Sequence, residues 1–97
     1  MIIKGVTMAG LRDSTLKALE RDLGRDVSQE EGSCSSYREV YDLHINDVRK
    51  LAPLDADRYI RYLLGGSSLG NAKLFTYFVA KEGMDIDHWL ENYYEKE

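Results

Sequence analysis

The fold is decided by residues 54–83, which read LDADRYIRYLLGGSSLGNAKLFTYFVAKEG. The stretch contains two runs with apolar residues at helical spacing, and each run is followed by a glycine, Gly65 or Gly83. A glycine just past a helix adopts the left-handed backbone conformation without a steric clash, so glycine is typical of helix ends. The stretch therefore predicts two consecutive helices joined by a short turn.

The second of these helices is apolar on almost every side. We expect it to begin after a cap at Ser68 and to run to Glu82. The apolar residues that surround its axis are Leu69, Ala72, Leu74, Phe75, Tyr77, Phe78 and Val79. A helix that is apolar all round must itself be surrounded. It is therefore either the centre of the core or a helix shared with another chain.

Helical spacing returns in segments before this stretch. Residues 8–23 carry an apolar stripe that ends before a glycine. Residues 37–51 follow a capping box formed by Ser36 and Glu39, and they stop before Pro53. The helix ends there because proline bars the preceding residue from helical geometry. These patterns predict two further helices.

Two aspartates are placed to cap the starts of helices, one of them a helix already predicted above. Asp55 is placed as the N-cap of the helix that ends at Gly65. Asp85 is placed as the N-cap of a last helix, where Met84 and Trp89 have the spacing of a hydrophobic staple. The sequence thus predicts four to five short helices.

An alternative remains for residues 38–45, which alternate partly as a strand would and would then pair with residues 2–6. We favour the helix because Val40 breaks the alternation. The predicted fold class is mainly α. It is a compact bundle of four to five short helices in a single domain, residues 1–97, with the two-stranded β element as the alternative.

The composition is that of an ordered globular domain. Of 97 residues, 43% are hydrophobic and 31% charged, and the net charge is −4. Residues 84–97 carry one lysine and five acidic side chains, so the acidity is concentrated in the last helix. A modest negative charge argues against binding to a phosphate backbone as the main activity.

The cysteine count and the hydropathy pattern indicate the compartment. The single cysteine, Cys34, excludes an intramolecular disulfide and a zinc site built from several cysteines. No secretory signal is recognisable, and no apolar segment approaches the ~20 residues that cross a bilayer. We expect a cytoplasmic protein that does not bind a membrane.

The turn after Gly65 has the glycine spacing of a phosphate-binding loop but not its chemistry. Asn71 and Ala72 occupy the positions of the lysine and the hydroxyl residue that such a loop needs. We therefore interpret this segment as a helix–helix connection and expect no cofactor. The long polar segment 25–35 is interpreted as a loop that is mobile or used for binding.

Catalytic and metal-binding residues are sparse. Cys34 with His44 as its base would make a small enzyme, which we keep as a second alternative. His44 with Asp47, and His88 with Glu91, have spacings that metal sites use, but each is a single pair. We therefore predict neither a metal ion nor catalysis.

The tyrosine content indicates an interface. Among the seven tyrosines, Tyr62 and Tyr94 fall outside the apolar stripes, which favours exposure at an interface. The alternative explanation is that the tyrosines lie at the edge of a small core. Tyrosine and arginine are enriched where proteins bind each other. The predicted protein-binding residues are Arg58, Arg61, Tyr62, Asp87, Glu91, Tyr94 and Glu95.

These observations predict a non-enzymatic protein–protein interaction module. We expect a small acidic adaptor or inhibitor that uses a Tyr/Arg face and an acidic C-terminal helix against a partner with a basic surface. A homodimer of this chain is the other candidate assembly. The first alternative is a helix-turn-helix-like protein that binds nucleic acid. It is disfavoured because residues 68–82 are apolar where base-reading groups are needed.

Overall fold

Five helices follow one another in the computed structural model, which describes residues 13–65 and 69–95. Helix α1 spans Asp13–Leu23, α2 Tyr37–Lys50, α3 Pro53–Leu64 and α5 Ile86–Asn92. Helix α4 is α-helical over Ala72–Leu74 and continues as a π-helix over Phe75–Lys81, after a 3₁₀ turn at Leu69–Asn71. None of the helices within these described ranges is long and apolar enough to span a membrane.

The mainly α fold is confirmed, and the strand alternative is wrong. Residues 38–45 lie inside α2, and the described residues contain no strand. Their expected pairing partner, residues 2–6, lies outside the described residues, as does the first part of the helix predicted over 8–23. Because α2 buries Tyr37 and Val40, which are three residues apart and would point to opposite faces of a strand, its burial follows the helical period.

The start of α2 is capped as the sequence predicts, with one difference. The Ser36 hydroxyl accepts a hydrogen bond from the Glu39 amide at 3.2 Å. The Glu39 carboxylate reaches back to the amide of Ser35, at 2.7 Å, instead of the amide of Ser36. This hydrogen bonding to Ser35 lowers the pKa of Glu39. The capping box is therefore present but extended by one residue.

The predicted N-cap of α3 is wrong. The helix begins at Pro53, the N-cap residue is Ala52, and no side chain caps the first turn. Proline suits the first helical position because its φ is already helical and the amide it lacks would have no partner there. Asp55 therefore lies within the first turn, where its charge favours the helix N-terminus. At the last helix the prediction is confirmed, since Asp85 accepts a hydrogen bond from the His88 amide.

The glycine-terminated helices are confirmed. Gly24, Gly65 and Gly83 have φ of 73°, 64° and 77°, the left-handed conformation expected after a helix. At Gly65 the structure requires glycine for a second reason. A Cβ there would lie 2.8 Å from the Cα of Gly32, so the loop and the end of α3 approach through backbone alone.

Helix α4 is apolar, but the described residues surround it on one side only. Its turns widen at the C-terminal end, where the Glu82 amide donates to the Tyr77 carbonyl, five residues earlier, at 3.0 Å. Phe75 and Val79 are buried, whereas Tyr77 is exposed. The described residues do not place this helix at the centre of the core, and the other explanation, a helix shared with another chain, stays a prediction. Its predicted cap, Ser68, lies outside the described residues.

The core is closed by a cluster of aromatic rings. Tyr37 of α2 packs against Phe75 and against Trp89, with ring centroids 5.3 Å apart in both pairs. Phe75 and Trp89 meet edge to face at 5.4 Å, a favoured geometry for aromatic pairs. Buried side chains from all five helices form the hydrophobic core to which these rings belong. The rings therefore hold α2, α4 and α5 together.

The polar segment 25–35 packs on the end of α3. The amides of Gly32 and Cys34 donate to the carbonyls of Tyr62 and Leu63, both at 2.9 Å. The last carbonyls of a helix have no partner within the helix, so these loop amides satisfy them. Val27 is buried among the core residues. The segment is therefore fixed to the fold by these hydrogen bonds and by the buried side chains of Val27 and Cys34.

Candidate protein-binding surface

Tyr62 was expected at the surface, and this expectation is wrong. The residue is 2% exposed, and its hydroxyl donates to the carbonyls of Val27 at 3.1 Å and Ser28 at 3.2 Å. The loop that follows α1 covers it, which the stripe on α3 alone does not reveal. Tyr62 therefore fixes the loop and is not available to a partner.

Arg58 and Arg61 lie at the surface of α3 but are engaged in local ion pairs. Arg61 Nε donates to Asp57 Oδ2 at 2.9 Å, and Arg58 Nη1 lies 3.8 Å from Asp55 Oδ1. Such pairs one helical turn apart contribute a few tenths of a kcal/mol. Their positive charge is largely balanced within α3, so the predicted Tyr/Arg face reduces to two paired arginines.

Tyr94 is half-buried at the edge of the aromatic cluster. Its ring lies 5.9 Å from that of Tyr37 and 5.7 Å from that of Trp89. The Asn71 side chain fixes the next residue, since its Nδ2 donates to the Glu95 carbonyl at 2.8 Å and its Oδ1 accepts from the Glu95 amide at 2.7 Å. Tyr94 thus supports the core, as the edge-of-core explanation expects.

The acidic side chains of α5 lie at the surface. Asp87, Glu91 and Glu95 are all exposed. Asp87 accepts a hydrogen bond from Arg38 of α2, so part of its charge is balanced. Within the described ranges, no hydrogen bond or ion pair joins these acidic residues to Arg58 or Arg61. The described contacts therefore do not join the arginines of α3 and the acidic residues of α5 into one site.

A groove that the sequence analysis missed lies between the start of α3 and α4. Its volume is about 810 Å³, within the size range of binding clefts. Pro53 and Leu54 form one wall, and Leu74, Tyr77 and Phe78 form the other. The groove lies on the side of α4 that the described residues leave uncovered.

Exposed apolar side chains gather at this groove. Among the side chains whose burial the structure describes, four large apolar ones are exposed: Leu43 at 65%, Leu54 at 61%, Tyr77 at 57% and Tyr93 at 39%. Leu54 and Tyr77 line the groove. Tyr93 continues it, because its ring packs on Phe78 with centroids 4.5 Å apart. Three of the four therefore belong to one surface, which we call the apolar groove.

Lysines lie at the rim of the apolar groove. Lys73 is exposed, and Lys81 donates to the carbonyls of Arg49, at 3.2 Å, and Leu51 at the end of α2. The carbonyl ends of a helix carry partial negative charge, which fixes the Lys81 ammonium there. The acidic side chain of the groove, Asp57, is neutralised by Arg61. The rim is thus positive.

A polar cluster lies on the opposite face of α3. Tyr59 is buried, its hydroxyl donates to Glu30 Oε1 at 2.5 Å, and it accepts from Arg25 Nη2 at 2.9 Å. Arg25 also donates to Asp47 Oδ2 at 2.6 Å and to Glu30. Burial, together with the bond to Glu30, raises the pKa of Tyr59 above its usual value of 10.0. His44 completes the cluster, with Nδ1 3.3 Å from the Tyr59 hydroxyl.

This polar cluster is a structural feature of the fold. Arg25 and Glu30 belong to the loop, Asp47 and His44 to α2, and Tyr59 to α3. The cluster therefore ties the loop to two helices with satisfied, charge-assisted hydrogen bonds. Burial lowers the pKa of His44 below 6.5, so the imidazole is neutral at neutral pH.

The chemistry proposed for Cys34 finds no support in its surroundings. The thiol is buried, with 2% of the residue exposed, and burial raises its pKa above 9.0. A cysteine nucleophile needs an accessible thiolate, which burial opposes. Among the residues that the structure describes, no three His, Cys, Asp or Glu side chains are grouped to hold a metal ion.

Comparisons with known proteins add no relative: no protein-family model, no curated protein and no solved structure matches the chain.

Proposed function

We propose that this chain is a non-enzymatic protein–protein interaction module, an adaptor or inhibitor that binds another protein through the apolar groove. The observation that carries the proposal is the gathering of Leu54, Tyr77 and Tyr93 at one groove of about 810 Å³. Contiguous exposed apolar surface is uncommon on monomeric proteins and is associated with binding. Tyrosine supplies contact area while losing little rotamer entropy.

The acidic surface of α5 adds an electrostatic component to this proposal. Asp87, Glu91 and Glu95 present negative charge to solvent, which steers a basic partner surface during encounter. The apolar groove has a positive rim at Lys73 and Lys81. A partner that covers both surfaces is therefore basic where it meets α5 and acidic where it meets the groove.

The two alternatives have weaker support. An enzyme using Cys34 and His44 would need an accessible thiol, and Cys34 is buried. A nucleic-acid-binding protein would need arginines available to phosphates, whereas Arg58 and Arg61 pair with Asp55 and Asp57. The floor of the groove is apolar, which suits a protein surface better than a phosphate backbone.

The test is capture of partners from the organism of origin with four immobilised proteins. These are the wild type, Leu54→Glu, Tyr77→Glu and the control Leu43→Glu. Leu43 is as exposed as Leu54 but lies on α2 and does not line the groove. We expect the wild type and Leu43→Glu to capture the same protein and both groove variants to lose it.

The captured protein is then purified and its affinity is measured by calorimetry. We expect a loss of at least tenfold, or about 1.4 kcal/mol, for each groove variant, because a charge replaces a desolvated anchor. Circular dichroism confirms that the variants are folded. Equal affinity of all four proteins for the captured partner, or no captured protein at all, would contradict the proposed function.

The acidic surface is tested separately with the triple variant Asp87→Asn, Glu91→Gln, Glu95→Gln. We expect slower association with the partner and a weaker dependence of the association rate on salt, because steering falls with ionic strength. Unchanged association kinetics would remove α5 from the binding surface while leaving the groove in place.

A further inference from the structure

We propose that the apolar groove binds an amphipathic helix of the partner whose flanking residues are acidic; this rests on the proposed function and names the class of occupant. The groove runs along one side of α4. Leu74, Phe78 and Lys81 lie at positions i, i+4 and i+7 of that helix, and all three line the groove. The lining residues of α4 extend from Lys73 to Lys81, so an occupant lies along that helix.

The architecture excludes one way of binding an extended peptide. A peptide that adds a strand needs the edge of a sheet, and the described part of this chain contains no strand. A helix in a groove instead inserts side chains at i, i+3 or i+4, and i+7. The apolar walls at Leu54, Leu74 and Tyr77 provide a matching row of contacts.

The charge of the rim selects acidic flanks on that helix. Lys73 is exposed, and Lys81 is held at the end of α2 by the carbonyls of Arg49 and Leu51. Asp57 in the groove is balanced by Arg61. The rim is therefore positive, although the whole chain has a net charge of −4. Charge complementarity favours aspartate and glutamate beside the apolar anchors.

The chain's own segments do not have this chemistry. The first twelve residues contain Lys4 and Arg12 and no acidic residue, so their charge has the same sign as the rim. Helix α5 of a second copy is acidic, but its apolar residues Ile86 and Trp89 are buried in its own core. A partner helix that combines exposed apolar anchors with acidic flanks is therefore the matching occupant.

The experiment selects peptides from a display library of random 16-residue sequences. Binding is selected on the wild-type chain, and peptides that also bind Tyr77→Glu are removed. We expect the recovered sequences to share apolar residues at i, i+3 or i+4, and i+7, with an excess of aspartate and glutamate. A proline placed in the middle of the best peptide should abolish its binding, because proline breaks a helix.

The charge is tested by fluorescence anisotropy with the best peptide. Lys73→Glu should weaken binding about three- to tenfold at low salt, since a favourable pair becomes a repulsive one. Lys17→Glu is the matched control, because Lys17 is an exposed lysine of α1 that does not line the groove. A peptide with its glutamates changed to lysine should prefer Lys73→Glu to the wild type.

Several outcomes would overturn this inference, and each is distinguishable from failure of the proposed function. Recovery of basic or non-helical peptides, or of no groove-dependent peptide, overturns the acidic helix even if partner capture still depends on Leu54 and Tyr77. A dimer mass by light scattering that Tyr77→Glu reduces to the monomer would assign the groove to a second copy. Partner capture that is unchanged by Leu54→Glu and Tyr77→Glu overturns the proposed function itself.

Discussion

Helix α4 has two sides that differ in what covers them. On the closed side, Phe75 packs against Tyr37 and Trp89, and all three are buried. On the open side, Tyr77 packs only along the surface, on Phe78, with ring centroids 4.9 Å apart. Both sides are aromatic, so residue type does not distinguish them. The difference lies in whether neighbouring elements cover the rings.

The same division extends to α3. Its closed side carries Tyr59 and Tyr62. Their hydroxyl groups donate hydrogen bonds to the loop that residues 25–35 form. Its open side carries Pro53 and Leu54 at the apolar groove. Side chains on the closed side therefore stabilise the fold, whereas those on the open side leave apolar surface in contact with water. We expect substitutions on the two sides to have different effects.

The largest effect should come from the centre of the closed side. Trp89→Ala removes a fully buried ring that contacts Tyr37, Phe75 and Tyr94, so we expect a loss of about 3–5 kcal/mol in the free energy of unfolding. That is a large share of the stability of a typical domain. Urea denaturation followed by circular dichroism measures it.

A matched variant, Trp89→Phe, separates ring packing from hydrogen bonding. The indole Nε1 is buried and has no acceptor among the described residues, so phenylalanine loses no hydrogen bond there. Trp89→Phe should therefore lower the free energy of unfolding clearly less than Trp89→Ala does. If Trp89→Ala leaves the denaturation midpoint unchanged, α5 does not belong to the cooperative core and the comparison of the two sides fails.

The second effect tests the contact between the loop and α3. Gly65→Ala forces a Cβ to within 2.8 Å of the Gly32 Cα and a φ of 64° on alanine, so we expect a loss of about 2–3 kcal/mol. Gly24→Ala is the control, because its φ of 73° is similar but a Cβ there meets nothing within 4 Å. Gly24→Ala should lower the free energy of unfolding by about 1–2 kcal/mol. Chemical denaturation of both variants gives the difference, and equal losses would show that the backbone approach contributes nothing.

The closed side also shows why part of the fold could be predicted and part could not. Helix ends follow from local geometry, so Gly24, Gly65, Gly83 and the cap at Asp85 were predicted correctly. The prediction of Asp55 as N-cap failed because the helix starts at Pro53, three residues earlier than that cap implies. Burial of Tyr62 depends on a loop that lies 34 residues away along the chain, and helical spacing contains no such information.

The apolar groove was missed for a related reason. The sequence of α4 is apolar all round, which predicts a covered helix, and nothing in the local pattern identifies the uncovered side. The burial of Phe75 and the exposure of Tyr77 on the same helix are visible only in the structure. Tyrosine enrichment did indicate exposed rings, but these are Tyr77 and Tyr93, not Tyr62 and Tyr94.

The third prediction concerns pH, which should act through the closed side. Burial lowers the pKa of His44, so below about pH 6.5 the unfolded chain binds a proton that the folded chain binds only at lower pH. Stability should therefore fall as the pH drops through this window. The raised pKa of Tyr59 has the opposite consequence: above pH 10.0 the unfolded chain loses a proton that the folded chain keeps, so stability falls as the pH rises.

The controls for this prediction are His44→Gln and Tyr59→Phe. The first should flatten the acid part of the stability profile, and the second should reduce the alkaline part at a cost of about 1–2 kcal/mol for the lost hydrogen bonds at neutral pH. Some alkaline dependence should remain, because burial also raises the pKa of Tyr62. Denaturation midpoints between pH 5 and 11 provide the measurement. Profiles identical to the wild type in both variants would contradict the role of the polar cluster.

The smallest effect on stability should come from the open side. Leu54 is 61% exposed, so Leu54→Ser should change the free energy of unfolding by less than about 0.5 kcal/mol. Tyr77→Ser loses its ring contact with Phe78 and should cost up to about 1 kcal/mol. Thermal and urea denaturation measure both, with Leu63→Ser, a fully buried residue of the same helix as Leu54, as the closed-side control. If Leu54→Ser destabilises the chain as much as Leu63→Ser, then Leu54 packs against part of this chain, and the groove is not a surface kept for a partner.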